Sequence, residues 1–282
     1  MSNAIEIKNL CKYYPGFSLN NISFSVPQGM CCGFVGPNGA GKTTTFKTML
    51  GMAHKTSGEV CLLGKPDGDV PVKEDIGVML DTPCFQEDWT PLDIEKGIRP
   101  YYRRWDSSRY LAYLERFELD PKKKFKNLSR GMKMRLSMAV SLSHDARLLL
   151  LDEPTGGLDP AARDEMVDIM REYLVRDDRT ILFSTHITSD LERIADMIVY
   201  ISRGTVVLSG DKDELTTRYC VVRGGSLPES KQESAIGLRK HANGFDCLME
   251  VEHVGGLPAG TITEHATIDD LVVYMERGSK NA

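Results

Sequence analysis

Apolar residues recur at two spacings along this chain. Ile5 and Ile7, and then Ile22, Phe24 and Val26, alternate with polar neighbours, which predicts strands of an antiparallel layer with one face toward solvent. Residues 30–35, 148–151 and 181–183 are continuous apolar runs, and these predict strands buried on both faces. Helical spacing appears at Met132, Leu136, Ala139 and Val140, and again at Met166, Ile169, Met170, Tyr173 and Leu174. Alternation of buried strands with helices over residues 1–210 predicts an α/β domain. Residues 85–127 are mostly helical in pattern and lack a buried-strand run, so a helical insert is expected over about 85–145. Beyond residue 211 the alternation weakens, Pro, Gly and Ser cluster at 224–230, and an amphipathic stretch closes the chain at 268–275. The expected organisation is a main domain over 1–210 and a small α+β unit over 211–282.

Composition narrows the class. The 282 residues are 41% hydrophobic and 27% charged, enough apolar material for a sizeable core and unlike a fibrous or disordered chain. The net charge is −5, which weighs against a nucleic-acid binder and predicts no nucleic-acid partner. Seven cysteines are scattered without a CxxC pair, so reduced and mostly buried thiols are expected rather than a metal centre. Residues 1–8 have no signal-peptide core, and no run approaches the ~20 apolar residues that cross a bilayer. Work at a membrane would need a partner that enters it.

The strongest local chemistry is Gly36-Pro37-Asn38-Gly39-Ala40-Gly41-Lys42-Thr43, a GxxxxGK[ST] motif between a buried strand and a helical run. Glycines let backbone N–H groups approach phosphate oxygens, the helix start adds positive partial charge, Lys42 is a mobile cation, and the Thr43 hydroxyl suits Mg²⁺. The bland alternative is a glycine-rich turn with a capping threonine. Residues 148–151 run into Asp152 and Glu153. Such a strand end supplies a carboxylate toward Mg²⁺ at Asp152 and a group able to orient or deprotonate a water at Glu153. His186 closes another strand on the same sheet edge, where ligands of open α/β sheets gather. Ser129-Arg130-Gly131 opens a helix. Ser129 is a good N-cap, and with Gly131 it also suits an anion, one presented by a second copy of the chain.

These motifs, with Leu128-Ser129-Arg130-Gly131-Met132, Gly157-Leu158-Asp159 and Thr185-His186, stand in the order and spacing of the ATP-binding-cassette (ABC) ATPases, and residues 4–210 resemble that family. The resemblance implies a P-loop fold of the ABC type, with an antiparallel β subdomain and a helical insert. It implies ATP and Mg²⁺, bound between two copies arranged head to tail as a homodimer. It implies Glu153 as catalytic carboxylate, His186 on the γ-phosphate and water, and Asp159 communicating across the dimer. Residues 36–44, from Gly36 to Thr44, would contact nucleotide. Tyr14, with Tyr13 as neighbouring candidate, stands where the family stacks an aromatic ring on adenine. Within the family the chain is similar to ATPase subunits of bacterial exporters of the bacitracin-resistance and acetoin-operon type. That implies a separate transmembrane permease and a cytoplasmic position at the inner face of the membrane. The competing reading is a soluble ABC-type ATPase acting on nucleic acid or the ribosome.

Two departures stand out. The family's LSGGQ reads LSRGM here, so Arg130 adds a charge. The family's glutamine after the first Ile-Gly strand aligns with Asp81, offering an ionised oxygen to Mg²⁺. Asp81 as a simple loop cap, or Gln86 as the equivalent, are the alternatives. Exposed aromatics among Trp89, Tyr101, Tyr102 and Trp105, beside Arg99, Arg103 and Arg104, suit the permease contact, with Trp105 and one tyrosine reserved for the insert's own core.

Overall fold

The computed structural model describes residues 2–83 and 85–281. Strands β1 (Asn3–Tyr14) and β2 (Phe17–Pro27) form a hairpin in which Tyr14 pairs with Phe17. With β4 (Ser57–Leu62) and β5 (Lys65–Pro66) they make an antiparallel sheet in the order β2-β1-β4-β5. Between them lie β3 (Cys31–Val35) and helix α1 (Lys42–Met49). Next come β6 (Ile76–Met79), the helices α2 (Pro91–Ile98), α3 (Ser107–Arg116) and α4 (Arg130–Leu142), and β7 (Leu148–Asp152). The chain continues through α5 (Pro160–Leu174), β8 (Thr180–Thr185), α6 (Thr188–Ile194), β9 (Met197–Ser202) and β10 (Thr205–Asp211).

The central sheet runs β10-β9-β3-β8-β7-β6, parallel throughout except for β10. Its continuous apolar strands are buried on both faces because each face meets a different core. Leu148 and Leu150, with Cys32, Phe34 and Leu182, face the antiparallel sheet and Phe46 of α1. Leu149 and Leu151, with Val35, Ile181 and Phe183, face the helices. Gly33 admits α6: a Cβ there would lie 2.1 Å from Leu191 Cδ2. The helical segment between β6 and β7 holds no strand among the described residues. Thr90 starts α2 with a reciprocal cap, and Asp106 caps α3.

After α7 (Lys212–Arg218), a third sheet is built from β11 (Tyr219–Gly224), β12 (Ile236–His241), β13 (Gly244–Glu250) and β14 (Ile262–His265), in the order β12-β13-β11-β14. The closing helix α8 (Ile268–Asn281) contacts it through β12 and β13, and its Leu271, Tyr274 and Met275 join the helix-side core. Cys11, Cys31, Cys32, Cys220 and Cys247 are buried free thiols and Cys61 is half-buried; Cys84 lies outside the described residues.

Candidate functional site

The loop 36–41 leaves β3 at the carboxyl edge of the central sheet and enters α1. Its glycines are required by contact. A Cβ on Gly36 would lie 2.1 Å from the Ile201 carbonyl oxygen. Gly41 combines a φ of 117° with Leu19 and Phe17 atoms at 2.6 and 3.0 Å from the Cβ it lacks. Helix α1 begins without a capping side chain and without an acidic residue in its first turn, so its own side chains do not neutralise the positive helix start. Lys42 is buried and folds back over the loop, with Nζ donating to the carbonyls of Gly36 at 2.7 Å and Pro37 at 3.5 Å.

The acidic strand end meets this loop. Asp152 is fully buried; Oδ2 accepts from Thr43 Oγ1 at 2.7 Å and Oδ1 from Ser184 Oγ at 2.5 Å. Burial raises its carboxyl above the ordinary value, against the pull of those two hydroxyls. Glu153 follows with a φ of 52°, a left-handed conformation that swings its side chain out of the strand's alternation. Its N–H is held by Ser184 Oγ at 2.9 Å. Its Oε1 lies 3.4 Å from Lys42 Nζ and its Oε2 2.8 Å from His186 Nδ1. Loop, strand ends and histidine thus form one linked chain of polar contacts at the sheet's carboxyl edge.

Phe17, Asn38, Lys42, Thr43, Asp81 and Glu153 are among the residues lining a cleft of about 380 Å³ over this loop. Pro37, Gly39, Gly41 and Thr44 also border it. Tyr14 and Tyr13 do not line it. Tyr14 sits across the hairpin from Phe17 with Lys12 Nζ 4.6 Å from its ring centre, so Phe17 is the aromatic wall.

Asp81 borders the cleft, yet its carboxylate is engaged elsewhere: Oδ1 takes Arg130 Nη2 at 2.6 Å, and neither Thr43 nor Asp152 is its partner. Ser129 caps α4 by accepting from the Met132 N–H at 3.2 Å, and Asp159 caps α5 through Ala161 and Ala162 at 3.1 and 3.0 Å. Those amides hold the Asp159 carboxyl below its ordinary value. Ser129, Gly131 and Asp159 all stand outside the cleft of their own chain.

Sequence reasoning missed Ser184, which serves both acids, and a buried network beyond them. Asp190 accepts from Thr155 Oγ1 at 2.7 Å and Arg163 Nε at 2.8 Å, tying the turn after Glu153 to the helix after His186. The hydroxyl at the strand end, in Phe183-Ser184-Thr185, was the available signal: a buried serine there needs a partner. In the insert, Tyr110 is buried and donates to the Pro91 carbonyl at 2.9 Å, and Trp105 packs against it. Tyr101 is 77% exposed and Trp89 40%. Arg103 and Arg104 are not free, since they pair with Glu74 and Asp75.

Residues 19–156 match the family described as ABC transporter. The chain is 37% identical over 220 residues to the Nod factor export ATP-binding protein I of Burkholderia orbicola, covering 73% of this chain and 70% of that one. It is 34% identical over 212 residues to the lantibiotic transport ATP-binding protein SrtF of Streptococcus pyogenes, covering 74% and 91%. An uncharacterised ABC transporter ATP-binding protein of Nostoc is 38% identical over 205 residues; the match spans 70% of this chain and 61% of that relative's length. Among solved structures, the ATP-binding subunit of an ABC transporter superposes with a TM-score of 0.68 at 27% identity, covering 75% of this chain and 91% of that one. A dimeric ATP-binding cassette bound to ADP and Pi shares the fold with a TM-score of 0.67, covering 73% and 98%.

Proposed function

This chain belongs to the ABC transporter ATP-binding proteins, a family of ATPases, and we propose that it hydrolyses ATP between two copies of itself to drive a separate membrane-embedded exporter. One observation carries the reading: Thr43 and Lys42 of the glycine loop touch Asp152 and Glu153 of the acidic strand end, at 2.7 and 3.4 Å.

The donor set fits Mg²⁺. No three His, Cys, Asp or Glu groups among the described residues form a cage for a metal ion. Thr43 Oγ1 and Asp152 Oδ2 are adjacent hard oxygens, and Mg²⁺ is held by one or two such groups together with substrate phosphates. Thr43 and Asp152 would hold it, and it would offset charge on the β- and γ-phosphate oxygens.

The chain's own residues then act in order. Lys42 exchanges the Gly36 carbonyl and Glu153 for phosphate oxygens, and the loop amides cradle them. Glu153, released from Lys42, accepts a proton from a water. That water's oxygen bonds to the γ-phosphorus while the bond to the β–γ bridging oxygen breaks, and ADP departs with the electron pair. His186, bonded to Glu153, orients that carboxylate. Ser129 and Gly131 of the second copy complete the γ-phosphate site, so ATP holds two copies together and ADP does not.

No helix of the described residues is long and apolar enough to cross a membrane. A separate permease supplies the path, and the exposed Tyr101 and Trp89 of the insert suit the contact on its cytoplasmic side. Two relatives are named for export or transport of Nod factor and of lantibiotic, which supports export as the direction. Calorimetric titration with MgATP tests the reading: wild type binds and Lys42→Ala does not. No uptake by wild type, or equal uptake by both, overturns it.

A further inference from the structure

Three carboxylates, Asp81, Asp152 and Glu153, stand at or close to the cleft that would receive the triphosphate. Two are compensated inside the site: Asp152 is hydrogen-bonded on both oxygens and Glu153 is matched by Lys42. Asp81 is the third. Its compensation comes from the start of α4, 49 positions along the chain, where Arg130 reaches it at 2.6 Å. The guanidinium is seated over the turn that follows Glu153. The Cβ that Gly157 lacks, at a φ of 73°, would lie 3.5 Å from Arg130 Nε, so a bare backbone leaves room for it. Arg130 itself does not border the cleft.

We propose that Arg130 is a positioning residue for nucleotide binding that acts through Asp81. It cancels and holds aside a carboxylate that would otherwise repel the triphosphate, and so sets the nucleotide affinity of its own chain's cleft without bordering that cleft. The inference rests on the ATP site proposed above. Both side chains are well exposed, so the pair adds little to folding stability and its removal leaves the chain folded. Its effect falls on a bound anion, and salt screens that effect over about 10 Å at ~0.1 M.

The test is titration of the full chain with a Mg²⁺-loaded, non-hydrolysable ATP analogue. Arg130→Ala raises Kd about fivefold at low ionic strength, the upper end for an exposed charge pair, and the loss shrinks in about 0.5 M salt. Asp81→Asn alone leaves Kd and the Mg²⁺ requirement within about twofold of wild type. Asp81→Asn with Arg130→Ala restores binding to that range, and Arg130→Lys keeps most of it. A double variant as weak as Arg130→Ala contradicts the proposal, because Arg130 would then act without Asp81. So does a loss insensitive to salt, and so does an Asp81→Asn protein that needs more Mg²⁺, which would make Asp81 a metal ligand. Failure of wild type to bind the analogue sinks the ATP site itself and is seen before any variant is measured.

Discussion

Lys42 Nζ and Glu153 Oε1 lie 3.4 Å apart, and the ion pair joins the first residue of α1 to the residue after β7. Lys42 cannot serve both Glu153 and a γ-phosphate fully. In the proposed cycle, nucleotide entry would therefore free Glu153 when a water must lose its proton. Glu153→Gln should slow phosphate release by about 10²–10⁴-fold, the range of a lost general base, while ATP still binds, because the Lys42, Thr43 and Asp152 contacts persist. A phosphate-release assay beside an equilibrium titration checks both halves.

Asp152 carries a stability cost. Burial, ahead of the opposing Ser184 and Thr43 hydrogen bonds, raises its carboxyl above the ordinary value. A carboxyl raised on folding stabilises the fold below its unfolded pKa, and that contribution is lost as pH rises through the folded value. Burying this carboxyl therefore costs stability as pH rises, a burden on the nucleotide-free protein. Asp152→Asn should therefore raise Tm at pH 7. The gain should shrink toward pH 4, and MgATP binding should be lost. Scanning calorimetry across pH reads the first effect and titration the second.

Phe17 borders the cleft and Tyr14 does not. Phe17→Ala should weaken ATP binding by about tenfold, the effect of losing ~1–3 kcal/mol of stacking on a base. Tyr14→Ala should change it less than about twofold. Reversed magnitudes in the two titrations would return the adenine contact to Tyr14.

His144 is 2% exposed, with its ring 4.0 Å from that of Tyr102 and its Nδ1 3.2 Å from the Glu74 carbonyl. Burial lowers its pKa to about 4, ahead of the opposing hydrogen bond to Glu74. A base depressed on folding contributes fully above its unfolded value, and that contribution is lost as pH falls through the folded value. Wild type should lose Tm more steeply than His144→Gln between about pH 6.5 and 4. Parallel curves would remove His144 as the cause.

The phosphate loop and the Leu148–Asp152 strand were legible because each is local: one glycine spacing and one apolar run state their own geometry. What sequence could not supply depends on non-local approach. The Asp81–Arg130 pair spans 49 positions and follows no period. The hairpin register sets Tyr14 against Phe17, and only the placement of β2 beside Gly41 makes Phe17 the cleft's aromatic wall. The last sheet blurred the alternation for a physical reason. Its central strands β11 and β13 bury both faces, Val221 and Leu248 against the helix-side core and Val222, Cys247 and Met249 in a separate small core with Leu227 and Leu257. Strands covered on both sides lose the polar half of the two-residue period.

Light scattering on the Glu153→Gln protein measures the central idea most directly, that the terminal phosphate clamps two copies together. With MgATP the mass should move from the 31.4 kDa of one chain to twice that value, and with MgADP, or with Lys42→Ala added, it should stay at one chain. A particle that remains a single chain in ATP, or that pairs regardless of nucleotide, contradicts the account.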